Sequence, residues 1–246
     1  MPQRHRSGPS LPPRRFPSPA DRVQLDEAVR TLQSEISEAV AEGGDWRQVV
    51  DSMRPVTNQI WRRLPEPDQR RFVGGLARHW DIHRHRMAPE IAVGLGRLRR
   101  SGRLQTSSGS IEAIQRRGSR VEVTVQRSSG AIEQLLVDRV VNCTGPALDL
   151  AATGEPLLES LFETGLGRPG PLHLGLDHDN RGALFSASGA ASQLLFTIGP
   201  MRKGRLWETT AIPEIRTQAF ELADQITSGL ERDRIGNAGG SLAIPA

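Results

Sequence analysis

Asp138-Arg139-Val140-Val141-Asn142-Cys143-Thr144-Gly145-Pro146 opens on a charged pair, passes through two β-branched residues and stops at a small polar turn closed by glycine and proline. β-Branched residues favour extended backbone and a Gly-Pro pair ends it, so the stretch reads as the end of a buried strand. In a dinucleotide-binding fold such a strand is accompanied by a glycine-rich loop, whose presence or absence bears on the rest of the chain.

One formal GxGxxG exists, Gly165-Leu166-Gly167-Arg168-Pro169-Gly170. The motif works when a strand delivers the chain into a tight turn and the following helix aims its first amides at a pyrophosphate. Here a helical stretch precedes it, extended residues follow, and Pro169 removes an amide, so the match is rejected on context. Gly199-Pro200-Met201-Arg202-Lys203-Gly204 has the outer glycine spacing of a P-loop, but Arg205 stands where the phosphate-binding lysine belongs and no Ser or Thr follows for magnesium.

Upstream of the opening stretch, Ile111/Ala113, Val121/Val123/Val125 and Ile132/Leu135/Val137 alternate, with Arg117-Gly118 and Ser129-Gly130 as turns. This predicts a β-meander over residues 104–145 that leads into a Val140-Val141 strand. Residues 21–103 read as helical. Ser18-Pro19-Ala20-Asp21 supplies a helix start, Leu25 to Val40 keeps helical spacing, and Gly43-Gly44 ends it. Pro55, Pro65, Pro67 and Pro89 then cut the pattern into short helices. Trp46, Trp61, Phe72 and Trp80 fall in this region as a small helical core.

Residues 1–20, rich in Pro, Arg and Ser, read as a flexible arm. Residues 146–246 hold a short helix at Pro156 to Glu163, apolar runs at Leu184-Phe185 and Leu194 to Ile198, and a helix from about Glu208 to Leu230. Thr209 or Thr210 is the expected cap of that helix, and Ile212, Ile215, Ala219, Leu222, Ala223 and Ile226 its core stripe.

Of the 246 residues, 37% are hydrophobic, enough for one large or two small cores. No stretch approaches the ~18 apolar residues of a membrane span, and the N-terminus lacks a signal-peptide centre, so the expectation is a cytoplasmic protein with no membrane partner. The formal net charge is only +4, with Lys203 the sole lysine among arginines that 28 acidic residues largely balance. That spread argues against nucleic acid as a partner.

Cys143 is the only cysteine, which excludes an intramolecular disulfide, a CxxC pair and a cysteine-based zinc site; at the end of an apolar run it is expected to be a buried small hydrophobe. His79 and His83 have chelating spacing, yet Trp80 replaces the glutamate of the metalloprotease motif and Arg84 and Arg86 oppose a cation, so no metal site is assigned. Arg84 and Arg86 suit a carboxylate or phosphate better, as does a solvated surface.

The late stretch from Leu194 to Ile226 carries the most information. A hydrophobic run ends at Gly199-Pro200, a cationic loop with Arg202, Lys203 and Arg205 follows, and a helix begins. A strand passing through a glycine turn into a helix N-terminus can stabilise an anion or an electron-rich ring.

Together, DWRQVVDSMRP, HWDIHRHRMAPEI, VDRVVNCTGP and LLFTIGPMRKGRLWETTAIPEIRTQA resemble the middle and C-terminal parts of bacterial FAD/NAD(P)-binding proteins related to urate-hydroxylase-like and N-hydroxylating monooxygenase-like flavoenzymes. The resemblance covers about residues 45 to 230. It implies an α/β protein with a partial Rossmann-like FAD/NAD(P)-binding fold, FAD and NAD(P)H as cofactors, and a small-molecule substrate. Thr144, Gly145, Gly199, Pro200, Thr209, Thr210 and Ala211 are the flavin-side positions it implies. Arg84, Arg86, Arg202 and Lys203 are its candidates for nicotinamide-cofactor phosphate or an acidic substrate, and no catalytic acid or base is implied.

Pro200 stands where such enzymes carry an Asp for the ribityl chain, and nothing before Asp138 supplies the strand, glycine turn and helix that hold the pyrophosphate. Either the chain is a fragment or mis-started product, or a separate polypeptide supplies that N-terminal half. The competing expectation is a non-catalytic truncated relative that acts as a partner-binding module.

Overall fold

The computed structural model describes residues 23–238. The Pro/Arg-rich arm and the Ser18-to-Asp21 helix start lie outside the described residues. The chain divides into two compact units, one from the described parts of Met1–Arg84 and Ala147–Ala246, the other His85–Pro146. Helices and small antiparallel sheets are mixed.

In the first unit, α1 (Leu25–Ala41) starts without a cap from its own neighbour Gln24; instead the Leu25 amide donates to Asp68 Oδ2 at 3.0 Å. Gly43, at φ 78°, ends it as expected. The prolines punctuate the following run: α2 (Trp46–Ser52), α3 (Arg54–Arg63) and α4 (Glu66–Arg71), with Pro55 and Pro67 in the first turns of α3 and α4. A π-helical turn over Phe72–Leu76 leads into α5 (Ala77–Arg84).

The core gathers Val23, Leu25, Trp61, Leu64, Ala77, Leu174 and Trp207, joining the N-terminal helices to two late loops. Trp61 and Phe72 each set their rings against Trp207, with centroids 4.9 Å from it in both cases. A smaller cluster of Leu150, Leu176 and Leu184 packs beneath a short helix, Pro156–Glu163.

The second unit contains α6 (Pro89–Arg100) and the predicted meander, β1 (Gly109–Arg117), β2 (Arg120–Arg127) and β3 (Ile132–Val137), paired antiparallel in sequence order. Gly118 and Gly130 turn it with positive φ. With Pro156–Glu163 as α7, the first unit continues through β4 (Ala183–Phe185), β5 (Ala191–Phe196) and α8 (Ile212–Ala238).

Four expectations need correction. Val140-Val141 is not a strand: the ladder stops at Val137, and Val140 and Val141 are 41% and 79% exposed. An apolar run becomes a central strand only between flanking strands, and no described strand pairs with residues 138–146. For the same reason Cys143 is exposed, not buried. α8 begins at Ile212 rather than near Glu208, because the Thr209 hydroxyl donates to the Gly199 carbonyl instead of capping. The α8 stripe is not a core stripe, since Ile212 is 76% and Ile226 42% exposed. Among the described residues no helix is long and apolar enough to cross a membrane.

Candidate functional site

A cleft of about 950 Å³ opens in the first unit. Helix periodicity builds one wall: Arg54, Asn58, Trp61 and Arg62 fall at i, i+4, i+7 and i+8 along α3, a single face. Asn58 clamps the opposite loop, donating to the Glu208 carbonyl at 2.9 Å and accepting from the Glu208 amide at 2.8 Å. One turn on, the Trp61 indole donates to the Gly204 carbonyl at 3.0 Å.

The facing wall is the turn Gly199–Arg202 and the loop that follows it. That wall is seated on residues 170–176 by bonds from Leu176 N to Met201 O and from Gly204 N to Leu174 O, both 2.8 Å. Gly175 is required there: at φ 74° it lies in the left-handed region, and an added Cβ would collide with the Met201 carbonyl.

Beneath the turn is a closed polar lock. The Gly199 amide donates to Gln218 Oε1 at 2.8 Å, Gln218 Nε2 donates to Thr209 Oγ1 at 2.9 Å, and Thr209 Oγ1 donates to the Gly199 carbonyl at 2.9 Å. All three residues are buried, Thr209 completely. The lock fixes the end of β5 against the first turns of α8, whose Pro213, Glu214, Thr217, Gln218 and Glu221 line the cleft.

The charges are unevenly partnered. Arg54 pairs with Glu214 at 2.5 Å, and Arg205 with the buried Asp177 at 2.6 Å. Asp177 also accepts from Arg168 at 2.7 Å. Burial alone would raise the Asp177 pKa, but hydrogen bonds and charge from Arg205 and Arg168 outweigh it and hold the carboxyl below its ordinary range. Arg202, only 5% exposed, donates through Nη2 to the Asn180 carbonyl at 3.1 Å, while its Nε has no hydrogen-bond partner among the described residues.

His178, 1% exposed, directs Nδ1 at the Asp179 carbonyl, 2.6 Å away. A carbonyl only accepts, so Nδ1 carries the proton; Nε2 makes no hydrogen bond of ordinary geometry among the described residues. Burial lowers the His178 pKa, and the charges of Arg202 and Arg205 add to that, against the opposing backbone of Asp179 and Arg202.

No family model, curated protein or solved structure matches this chain. The chemistry is therefore read from the cleft itself. Of the positions taken from the sequence, Gly199, Pro200, Arg202, Lys203, Thr209, Thr210 and Ala211 come together in this unit. Gly199 and Thr209 are consumed by the lock; Pro200 and Thr210 are exposed and Ala211 is half-buried at the start of α8. Lys203 is buried, donating to the Trp207 carbonyl at 3.0 Å with its ammonium 3.7 Å from the Trp207 ring centre. Burial depresses its pKa, and Asp81 and Glu208 oppose that shift.

Arg84 lies 3.3 Å from the buried Glu208 carboxylate. Thr144, Gly145 and Arg86 belong to the second unit, where Thr144 donates both its amide and its hydroxyl to Asn142 Oδ1 and Gly145 takes φ 82°. Among the described residues no group of three or more His, Cys, Asp or Glu could hold a metal ion.

Sequence reasoning missed Arg54, Asn58, Arg62, His178 and Asn180. A signal for two of them exists in Asp177-His178-Asp179-Asn180, a dense polar run between apolar residues, which earns its burial only where each group finds a partner.

Proposed function

We propose that this chain is the flavin-side part of an FAD-dependent, NAD(P)H-linked oxidoreductase acting on a small-molecule substrate. A separate N-terminal half would supply the pyrophosphate-binding strand, glycine turn and helix and complete a Rossmann-like domain. The observation that carries the reading is the Gly199–Thr209–Gln218 lock, which rigidly joins a strand end, through a glycine turn, to the start of a 27-residue helix. The first amides of such a helix have no partners within it and carry positive partial charge, suited to the electron-rich edge of a flavin ring. Exposed Pro200 and Thr210 and half-buried Ala211 leave that edge approachable. The cleft alongside is large enough for a substrate or a nicotinamide.

In such an enzyme the bound FAD supplies the redox chemistry, and the protein supplies orientation and electrostatics. The residues here would hold the ring end: backbone amides at Thr210 to Ile212 toward the ring, and the lock keeping them fixed.

Titration of the purified chain with riboflavin, FMN and FAD, followed by flavin fluorescence, tests the reading. Ring-end binding predicts saturable quenching by all three with comparable affinities, since the phosphates gain no cradle from this chain. Quenching by none of them defeats the reading. FAD binding orders of magnitude tighter than riboflavin overturns the missing cradle.

One observation favours the alternative of a non-catalytic partner-binding module: α8 exposes Ile212, Phe220 and Ile226, the two outer ones 76% and 42% accessible. A partner-binding helix face has this composition, and the same titration separates the two readings.

A further inference from the structure

We propose that the cleft is a binding site for a small molecule bearing an oxyanion group, a carboxylate or a phosphate, held by Arg202 and Arg62 with His178 beside them. The site needs no flavin and stands on the cleft alone.

The charge in the cleft is unbalanced. A guanidinium offers five donors, and burying one without an anionic partner is costly. Arg202 is 5% exposed and, among the described residues, its side chain makes one hydrogen bond, to the Asn180 carbonyl, and its Nε has no partner. Among the described residues no carboxylate lies within ion-pair distance of it. The nearest acidic influences are Glu221 and Asp179, and Asp179 already accepts from the Arg181 and Ala183 amides at 2.8 and 2.9 Å.

A second guanidinium, that of Arg62, reaches the cleft from the α3 wall and repels Arg202. Two like charges facing one cavity from opposite walls are relieved by an anion between them. The other cationic groups are already engaged: Arg54 with Glu214, Arg205 with Asp177, and Lys203 with the Trp207 carbonyl and ring. Arg62 Nε donates only to the Asn58 carbonyl, at 3.3 Å, so the terminal nitrogens of Arg62 and the guanidinium of Arg202 are the donors left over for a ligand.

His178 stands beside Arg202, with its Nδ1 held on the Asp179 carbonyl and the Arg202 backbone against its ring, so the oxyanion falls to the two guanidiniums. A cleft of about 950 Å³ takes a whole metabolite rather than a bare ion.

The test is calorimetric and thermal-shift titration of the full chain with inorganic phosphate, with citrate, and with chloride at matched ionic strength. The proposal predicts saturable binding of phosphate or citrate and none of chloride; which of the two binds tighter names the ligand's group. Replacing one charged donor weakens such binding roughly tenfold or more, so Arg202→Met and Arg62→Gln should each do so. Arg62 is exposed on α3, and its variant keeps the test valid if Arg202→Met fails to fold. The proposal is overturned by the absence of saturable binding, or by binding that Arg62→Gln and a folded Arg202→Met leave unchanged. Loss of flavin binding with anion binding intact would refute the oxidoreductase reading alone.

Discussion

Replacing Asp177 by Asn should destabilise the first unit by roughly 2–3 kcal/mol at neutral pH, the loss of one charge-assisted hydrogen bond plus the weakening of others. The magnitude follows from the geometry. Asp177 Oδ2 accepts from Arg168 Nε at 2.8 Å, and Oδ1 accepts from Arg205 Nε at 2.6 Å and from the His178 amide at 3.0 Å. An asparagine keeps one acceptor oxygen and turns an NH₂ toward a guanidinium, so either orientation forfeits one arginine. The arginines are 38% and 40% exposed, so water takes them up and no stranded-charge cost is added.

All four tryptophans lie in this unit, so their fluorescence in a urea titration reports its unfolding. The matching drop in Tm is roughly 4–12 °C. The pH dependence has a fixed sign: the folded pKa lies below the unfolded value of 3.8, so the contribution is present above that value and lost as pH falls through the folded pKa. The gap between the proteins should be full at neutral pH and narrow as pH falls below 3.8 through the folded pKa. A gap under about 0.5 kcal/mol at neutral pH, the range of an ordinary surface substitution, would refute the reasoning. So would a gap that stays constant to acid pH.

Three further outcomes follow from the same reasoning. Gln218→Leu leaves the Gly199 amide and the Thr209 oxygen buried without their partner, and should cost about 1–3 kcal/mol in the same urea titration; Thr209→Val added to it should cost less than the sum of the two single changes, because both break one lock. Asp68→Ala removes the acceptor for the first amide of α1 and should lower stability by about 1 kcal/mol. Cys143 is exposed, so a thiol reagent should label native protein as fast as urea-unfolded protein, and strong protection would restore the buried reading.

Local rules made much of the fold legible. Proline positions mark the breaks among α2, α3 and α4, alternation and Gly118 and Gly130 mark the meander, and Pro156 opens α7. What local rules missed depends on partners distant in the chain. Val140-Val141 has the composition of a central strand, but among the described residues no strand pairs with it, and composition cannot report that. Thr209 has the chemistry of a cap, but a buried carbonyl ten residues back claims its hydroxyl. Local rules look for a helix cap in adjacent residues, whereas the first amide of α1, that of Leu25, donates to Asp68, 43 residues on.

The candidate site was half visible. The turn from Gly199 to Arg202 and the start of α8 stand out as glycine, charge and helix signals. Arg54, Asn58 and Arg62 look like an ordinary polar helix face until the late loop folds against them, and His178 acquires its meaning from the burial of its neighbour Arg202. Trp207, the aromatic that joins the helical core to this loop, belongs to the core although it follows the meander by some seventy residues.

The central claim, that a flavin ring sits at the Gly199–Pro200 turn and the start of α8, is tested most directly by amide NMR of the full chain during a riboflavin titration. The account predicts saturable shifts at the amides of Gly199, Thr210, Ala211 and Ile212, with the α1 amides unmoved. Saturable shifts confined to other parts of the chain, or none at any concentration, would contradict it.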